Sequence, residues 1–218
     1  MSGKCAAQII GGSDGPTSIF IAGQKEKNVF RRIQNSIRRK KYQRRRNRIM
    51  AQLKPEPHTL EELRVYITEK YGAVELEPSQ RRYQEGYKNT KAAMVQKHRP
   101  ELLGPPPEDI HPEDINDFEA VKVFLDKCDE YQKKAVNLPD DVLPIDYHCY
   151  VIQEDGGELC IEIEKNYGMM GVGFSSEKSK KKEFEQKLKD IYLYYGVTKE
   201  DMETGSERMK SLMAVLTV

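Results

Sequence analysis

Hydrophobic positions in this chain fall into short runs typical of strands and longer stripes typical of helices. Near the N-terminus, residues 5–10 and 17–22 are β-prone runs on either side of the six residues GGSDGP, which predicts a β-hairpin. A long polar stretch follows, from about 26 to 53. Its hydrophobic residues recur at helical spacing near both ends, whereas residues 38–48 are polar on all sides, so we expect one long helix whose middle stands out from the body.

Five further helices are predicted beyond this stretch. The first begins at a capping box formed by Thr59 and Glu62 and ends at Gly72. The others are indicated by their hydrophobic stripes or caps: Tyr83, Tyr87, Thr90 and Met94 after Pro78; Phe118, Val121, Leu125 and Cys128; Phe184, Leu188, Ile191 and Tyr195; and Thr198 with Asp201 for a last helix ending in MKSLMAVLTV.

Three strand-like runs lie between these helices, at 147–153, 158–164 and 167–174. A turn centred on Asp155-Gly156 pairs the first two as a hairpin. It places one set of side chains on one face, Tyr150, Ile152, Leu159, Ile161 and Ile163, and a second set on the other, Cys149, Cys160 and Glu162. The first set is the predicted core.

These elements predict an α+β fold. We expect a small antiparallel sheet, made of the N-terminal hairpin and the C-terminal meander, that is covered on one side by helices. The predicted organisation has four parts: a hairpin at 1–24, a basic helical region at 25–99, a proline-rich linker at 100–113, and a helix, meander and C-terminal helices at 114–218.

Composition narrows the class of protein. Only 38% of the chain is hydrophobic, 33% is charged and tryptophan is absent, as expected for a soluble protein. The longest nearly apolar run, SIFIAG, is far shorter than a membrane span, and no export signal is recognisable. Cysteines 5, 128, 149 and 160 form no CxxC pair, so we expect reduced thiols and a cytoplasmic location.

The net charge of +1 conceals a strong asymmetry along the chain. Residues 25–54 hold thirteen Lys/Arg and one acid, whereas residues 55–218 hold 22 Lys/Arg and 33 Asp/Glu, a net charge of −11. Two interpretations stay open. The basic helix binds an external polyanion, or it docks on the chain's own acidic segments at 101–119 and 140–164.

If the helix binds a polyanion, the cationic residues between 31 and 48 contact phosphates and one tyrosine among them stacks on a base. Contacts from these side chains to phosphates would be salt-sensitive and largely independent of sequence. Tyr42, together with Tyr83 and Tyr87 on the next basic helix, would stack on bases. The predicted binding residues are Arg31, Arg32, Arg38, Arg39, Lys40, Lys41, Tyr42, Arg44, Arg45, Arg46 and Arg48.

The N-terminal segment IIGGSDGPTSIFIAG, residues 9–23, carries a specific motif whose turn residues are Gly11, Gly12, Asp14, Gly15 and Pro16. Asp-Gly followed by Pro predicts a tight turn, and an ion-binding nest of backbone amides is the alternative. The segment resembles part of the β subunit of sodium-ion-translocating decarboxylases, membrane pumps that couple decarboxylation to sodium export. The resemblance implies that Asp14 matches an aspartate implicated there in sodium binding. That family also has many membrane helices, which this sequence does not predict.

Residues that would carry catalysis or bind a metal are scarce. Histidines 58, 98, 111 and 148 lie far apart and form no HxxxH or HExxH pair, and no GxSxG is present. We therefore predict no catalytic residues, no metal site and no cofactor. Cys149 and Cys160 are expected to be neighbours on one sheet face, as small strand residues or as a redox pair.

The function that the sequence favours is a non-enzymatic bacterial interaction protein. Its predicted partner is nucleic acid or an acidic protein surface, with no membrane association. Two alternatives remain. One is an accessory or decayed relative of the decarboxylase β subunit, and the other is a self-associating structural protein that forms homo-oligomers.

Overall fold

The computed structural model describes residues 29–108 and 117–217. Within this part the chain forms seven α-helices, two short 3₁₀ helices and one four-stranded sheet, so the predicted α+β class is confirmed. The α-helices are α1 (Val29–Gln52), α2 (Leu60–Tyr71), α3 (Arg81–His98), α4 (Phe118–Asn137), α5 (Lys181–Tyr195), α6 (Lys199–Thr204) and α7 (Glu207–Thr217); the strands are β1 (Val74–Glu75), β2 (Tyr147–Glu154), β3 (Gly157–Glu164) and β4 (Met169–Ser176). The 3₁₀ helices are Pro100–Leu102 and Asp140–Val142.

The sheet is antiparallel throughout, with the strand order β1-β2-β3-β4. Glu154 pairs with Gly157, so the turn is centred on Asp155-Gly156 as predicted. Gly156 has a φ of 79°, a left-handed conformation that glycine adopts without strain. Strand β1, which follows the end of α2, lies on the free side of β2, and the sequence pattern did not predict it. The predicted N-terminal hairpin lies outside the described residues.

One face of the sheet supports the larger hydrophobic core. The face contains the strand residues predicted for it, Tyr150, Ile152, Leu159, Ile161 and Ile163. Helices α2, α5 and α7 cover it with side chains that are at most 1% exposed, namely Leu63, Ile67, Phe184, Ile191 and Leu212. Burial of each such side chain stabilises the fold by about 1.5–3 kcal/mol. We call this cluster the α2/α5/α7 core.

Helix α3 covers the opposite face of the sheet, so the expectation of helices on one side only is wrong. The Tyr83 hydroxyl donates a hydrogen bond of 2.8 Å to the carbonyl of Tyr147 on β2. Helices α3 and α4 also share a smaller core, made of Ala92, Met94, Val95, Leu103, Ala135 and Leu143. The second face accepts a helix because it is lined by small or hydrogen-bonded side chains rather than by free charges.

Gly86 allows α3 to approach the sheet closely. A Cβ atom there would overlap the Tyr147 hydroxyl and lie 2.6 Å from Glu162 Oε1. We expect Gly86→Ala to lower the free energy of unfolding by about 1–3 kcal/mol, because the helix must move away from the sheet. Urea denaturation measures this loss. Adding Tyr147→Phe, which removes the overlapping oxygen, should restore part of it.

A matched control for this substitution is Gly173→Ala on β4. A Cβ atom at Gly173 meets no other atom within 4 Å, so this change should be close to neutral. Equal losses of stability at Gly86 and Gly173 would contradict the close-approach explanation.

The C-terminal helix is divided in two, contrary to the prediction of a single helix. The predicted cap is confirmed, because Thr198 and Asp201 form a capping box at the start of α6. Gly205 then adopts a left-handed conformation, with a φ of 66°, that ends α6. The Ser206 hydroxyl accepts a hydrogen bond of 3.2 Å from the Met209 amide and so begins α7. The Thr59–Glu62 capping box of α2 is likewise confirmed.

Candidate functional site

Helix α1 is attached to the body through its C-terminal end. Ile49, Met50 and Leu53 are partly buried and pack against the α2/α5/α7 core. The helix contacts α7 at this end. Its 24 residues correspond to a rod of about 36 Å, at 1.5 Å per residue. The part before Ile49 therefore extends well beyond the anchoring contacts.

Every residue from 35 to 48 is exposed to solvent. The exposed set includes eight cationic residues, Arg38, Arg39, Lys40, Lys41, Arg44, Arg45, Arg46 and Arg48, and also Tyr42, which is 48% exposed. Successive residues of an α-helix are rotated by about 100°, so these charges surround the helix axis. Arg31 and Arg32 belong to the same helix, but their side chains lie outside the described part of the structure. The described residues thus form an uncovered basic rod.

The acidic segments at 101–119 and 140–164 do not cover this rod in the part of the chain that the structure describes. Several of their carboxylates have partners elsewhere in the protein. Four ion pairs are formed by Glu101 with Arg99, Asp140 with Lys91, Glu154 with Lys187 and Glu158 with Arg82, and Asp146 is hydrogen-bonded to His148. The hydrogen bond from the Lys91 ammonium lowers the pKa of the Asp140 carboxyl.

Two tyrosines predicted to stack on bases are half-buried and pack against the sheet. Tyr83 and Tyr87 lie edge-to-face against Tyr147, with ring centroids 5.1 and 6.1 Å away. The Tyr87 hydroxyl donates to Asp140 at 3.1 Å, and burial raises the pKa of Tyr87 to about 12. Of the three tyrosines considered, Tyr42 is the exposed one, because α3 turns Tyr83 and Tyr87 towards the sheet.

The remaining sequence motifs have structural roles or fall outside the described residues. His148 bonds to Glu75 at 2.6 Å and to Asp146 at 2.9 Å, which fits a satisfied strand histidine. His58 stacks on Tyr194 with ring centroids 4.0 Å apart. Within residues 29–108 and 117–217, no group of three or more His, Cys, Asp or Glu side chains is arranged to hold a metal ion. The motif turn Gly11, Gly12, Asp14, Gly15 and Pro16 lies outside that part.

One polar cluster under α3 was only partly anticipated. Cys149 and Cys160 are neighbours, as expected from the strand pattern, with their Sγ atoms 3.3 Å apart. The sequence did not indicate that Arg82 and Tyr147 lie beside them. Burial raises the pKa of the Tyr147 hydroxyl, which donates to Glu162 at 2.9 Å. Contacts between α3 and the sheet join residues far apart in sequence, and no local pattern specifies them.

No protein-family model, no curated protein and no solved structure matches this chain. No helix in the described part of the chain is both long and apolar enough to cross a membrane. The exposed basic helix α1 is therefore the feature on which a functional proposal rests.

Proposed function

We propose that this chain is a non-enzymatic interaction protein that binds a polyanion, with nucleic acid as the preferred ligand, through α1. The observation that carries the proposal is the exposure of all fourteen residues from 35 to 48, eight of which are Lys or Arg. Keeping so many like charges together on one helix is unfavourable without a counter-charge. Phosphates along a nucleic-acid backbone supply that counter-charge.

The dimensions of α1 suit a duplex groove. An α-helix with side chains is about 10–12 Å across, and the major groove of B-form DNA is about 12 Å wide. A helix with cations all round meets the phosphates on both walls of the groove. The anchored end, at Ile49, Met50 and Leu53, keeps the body outside.

The charge of the body favours this single mode of binding. Residues 55–218 have a net charge of −11, so phosphates are repelled from most of the remaining surface. Approach to a nucleic acid is then directed to α1.

Sequence specificity is expected to be low. Arg and Lys contacts to phosphates position a protein but do not read bases. The exposed amide side chains between the cations are few: Asn35, Gln43 and Asn47. Tyr42 adds an exposed ring that stacks on an unpaired base. Charge therefore defines the class of ligand, and stacking on Tyr42 increases the affinity for single strands.

The salt dependence of binding tests the proposal. We expect a fluorescently labelled duplex of about 20 base pairs to bind with an affinity that falls linearly, on logarithmic axes, with salt concentration. If α1 neutralises about five phosphates, the slope is about −4.5 and the affinity drops about 500-fold between about 50 and 200 mM salt. Fluorescence anisotropy measures the dissociation constant at each salt concentration.

Controls separate this function from its competitors. Two duplexes of unrelated sequence should bind with similar affinities. Retention on heparin without binding to either duplex would assign α1 to another polyanion. A mass that rises with protein concentration, measured by sedimentation without nucleic acid, together with absent duplex binding, would favour self-association instead.

A further inference from the structure

Two thiols lie side by side on the sheet face beneath α3. Cys149 on β2 opposes Glu162, and Cys160 on β3 opposes Val151, so the two cysteines are diagonal neighbours across the hairpin. Their Sγ atoms are 3.3 Å apart. A disulfide bond has a length of about 2.0 Å, so the sulfurs must approach by about 1.3 Å. Diagonal neighbours of an antiparallel pair have Cα atoms about 7–8 Å apart, so closure also draws the two strands slightly together while their pairing is kept.

The neighbouring groups favour one thiolate in this pair. Arg82 on α3 forms an ion pair with Glu158 on β3. Its guanidinium lies close enough to both sulfurs to interact with them electrostatically. The pKa of the Cys149 thiol is lowered, first by the hydrogen bond from Cys160 and also by Arg82. The pKa of Cys160, which shares its proton in that bond, is raised. Cys149 is accordingly the more acidic thiol, although it is only 1% exposed.

On β4, no side chain stands beside Cys160. Cys160 is partly exposed, and its partner on β4 is Gly173. Open space lies where a side chain at Gly173 would stand. The next residue on the same face of β4 is Gly171, again without a side chain. Helix α3 therefore covers the Cys149 side, while the two glycines leave the Cys160 side uncovered.

We propose that Cys149 and Cys160 form a reversible thiol–disulfide pair that small peroxides oxidise. Loss of one proton from the pair leaves one thiol and one thiolate that share the other proton. That proton lies mostly on Cys160, the less acidic thiol. When it moves to Cys149, the more accessible Cys160 thiolate attacks hydrogen peroxide, the O–O bond breaks, and a sulfenic acid and hydroxide form. The hydroxide takes the proton from Cys149, giving water. The Cys149 thiolate then attacks the Cys160 sulfur and expels hydroxide, which solvent protonates.

The atoms and electrons of this reaction balance. Two thiols lose two electrons and two protons, and one peroxide becomes two molecules of water. A dithiol reductant such as dithiothreitol returns the two electrons. The site is separate from α1, so the inference does not depend on nucleic-acid binding.

A chain carrying Cys5→Ser and Cys128→Ser tests the proposal, because only the pair then remains. After peroxide treatment and blocking of free thiols, mass spectrometry should find a monomer that has lost two hydrogen atoms. Digestion by a protease that cuts after glutamate, at Glu154 and Glu158 between the two cysteines, should yield one peptide pair joined through Cys149 and Cys160. Dithiothreitol should restore both thiols.

Two further variants of this chain identify the mechanism. Adding Gly173→Val places a side chain beside Cys160 and should slow oxidation several-fold while leaving the same disulfide as product. Adding Cys149→Ser should leave a sulfenic acid on Cys160 that dimedone traps. Disulfide-linked dimers would overturn the proposal, and so would separate oxidation of the two cysteines to sulfinic acids. It would also be overturned if both thiols stayed free in the folded protein under peroxide conditions that oxidise the urea-unfolded protein.

Discussion

A variant with Arg38, Lys41, Arg44 and Arg48 all replaced by glutamine is expected to bind duplex DNA about a hundredfold more weakly at low salt. At helical spacing the four positions lie along one side of α1. Their exposed side chains meet phosphates on the same wall of a groove. Losing three or four phosphate contacts should also reduce the magnitude of the logarithmic salt slope by about three. Anisotropy titrations at several salt concentrations measure both quantities.

The control for this variant removes the same charge elsewhere. Lys122, Lys127, Lys133 and Lys134 are exposed on α4, and glutamine at all four positions changes the net charge equally. Glutamine is a good helix former, so circular dichroism should be unchanged in both variants. The α4 variant should bind almost as the original chain does. Equal weakening in the two variants would show that overall charge, rather than α1, determines the affinity.

Features of the fold that depend on neighbouring residues in sequence were predicted well. The two capping boxes each need residues only three positions apart, Thr59 with Glu62 and Thr198 with Asp201. The hairpin turn at Asp155-Gly156 fixes the register of β2 and β3. Period-two alternation then assigns each side chain to a face, because a slip by one residue would reverse every assignment. Local chemistry is sufficient for such features.

Features that depend on distant residues were not predictable. Strand β1 has two residues, Val74 and Glu75, too few for an alternating pattern, and it exists because β2 offers an unpaired edge. Helix α3 covers the second face of the sheet because Gly86 permits close approach, yet a glycine within a helix does not indicate its tertiary neighbour. The division at Gly205 was missed because hydrophobic spacing continues on both sides of it.

The candidate site shows the same limit. Charge counts identified the basic stretch and the acidic segments, but charge alone does not assign partners. In the structure, local cations such as Lys91, Arg99 and Lys187 pair with the acidic segments, and the α1 cations from Arg38 onward are exposed. The sequence therefore identified the charged residues, and the three-dimensional arrangement shows which of them are exposed.

Glu164 illustrates a buried charge that no sequence pattern marked. It is fully buried at the end of β3. Its Oε1 accepts hydrogen bonds from the amides of Asp146 at 2.9 Å and Asn166 at 3.2 Å, and its Oε2 accepts one from Tyr167 at 2.6 Å. One side chain thus accepts hydrogen bonds from backbone amides of both the segment before β2 and the turn after β3. In the sequence it is one of many glutamates.

Replacing Glu164 by leucine should lower the free energy of unfolding by about 3 kcal/mol or more, because three backbone amides lose their acceptor. Glutamine keeps one oxygen for Asp146 and Asn166 but turns an NH₂ group towards Tyr167, so Glu164→Gln should cost about half as much. Urea denaturation of the original chain and the two variants measures this order of stability.

The control is Glu158→Leu, at a more exposed position on the same strand, which should lower the free energy of unfolding by less than either variant. A leucine variant as stable as the original would mean that other groups or water satisfy these amides, and that Glu164 does not hold the β3–β4 turn.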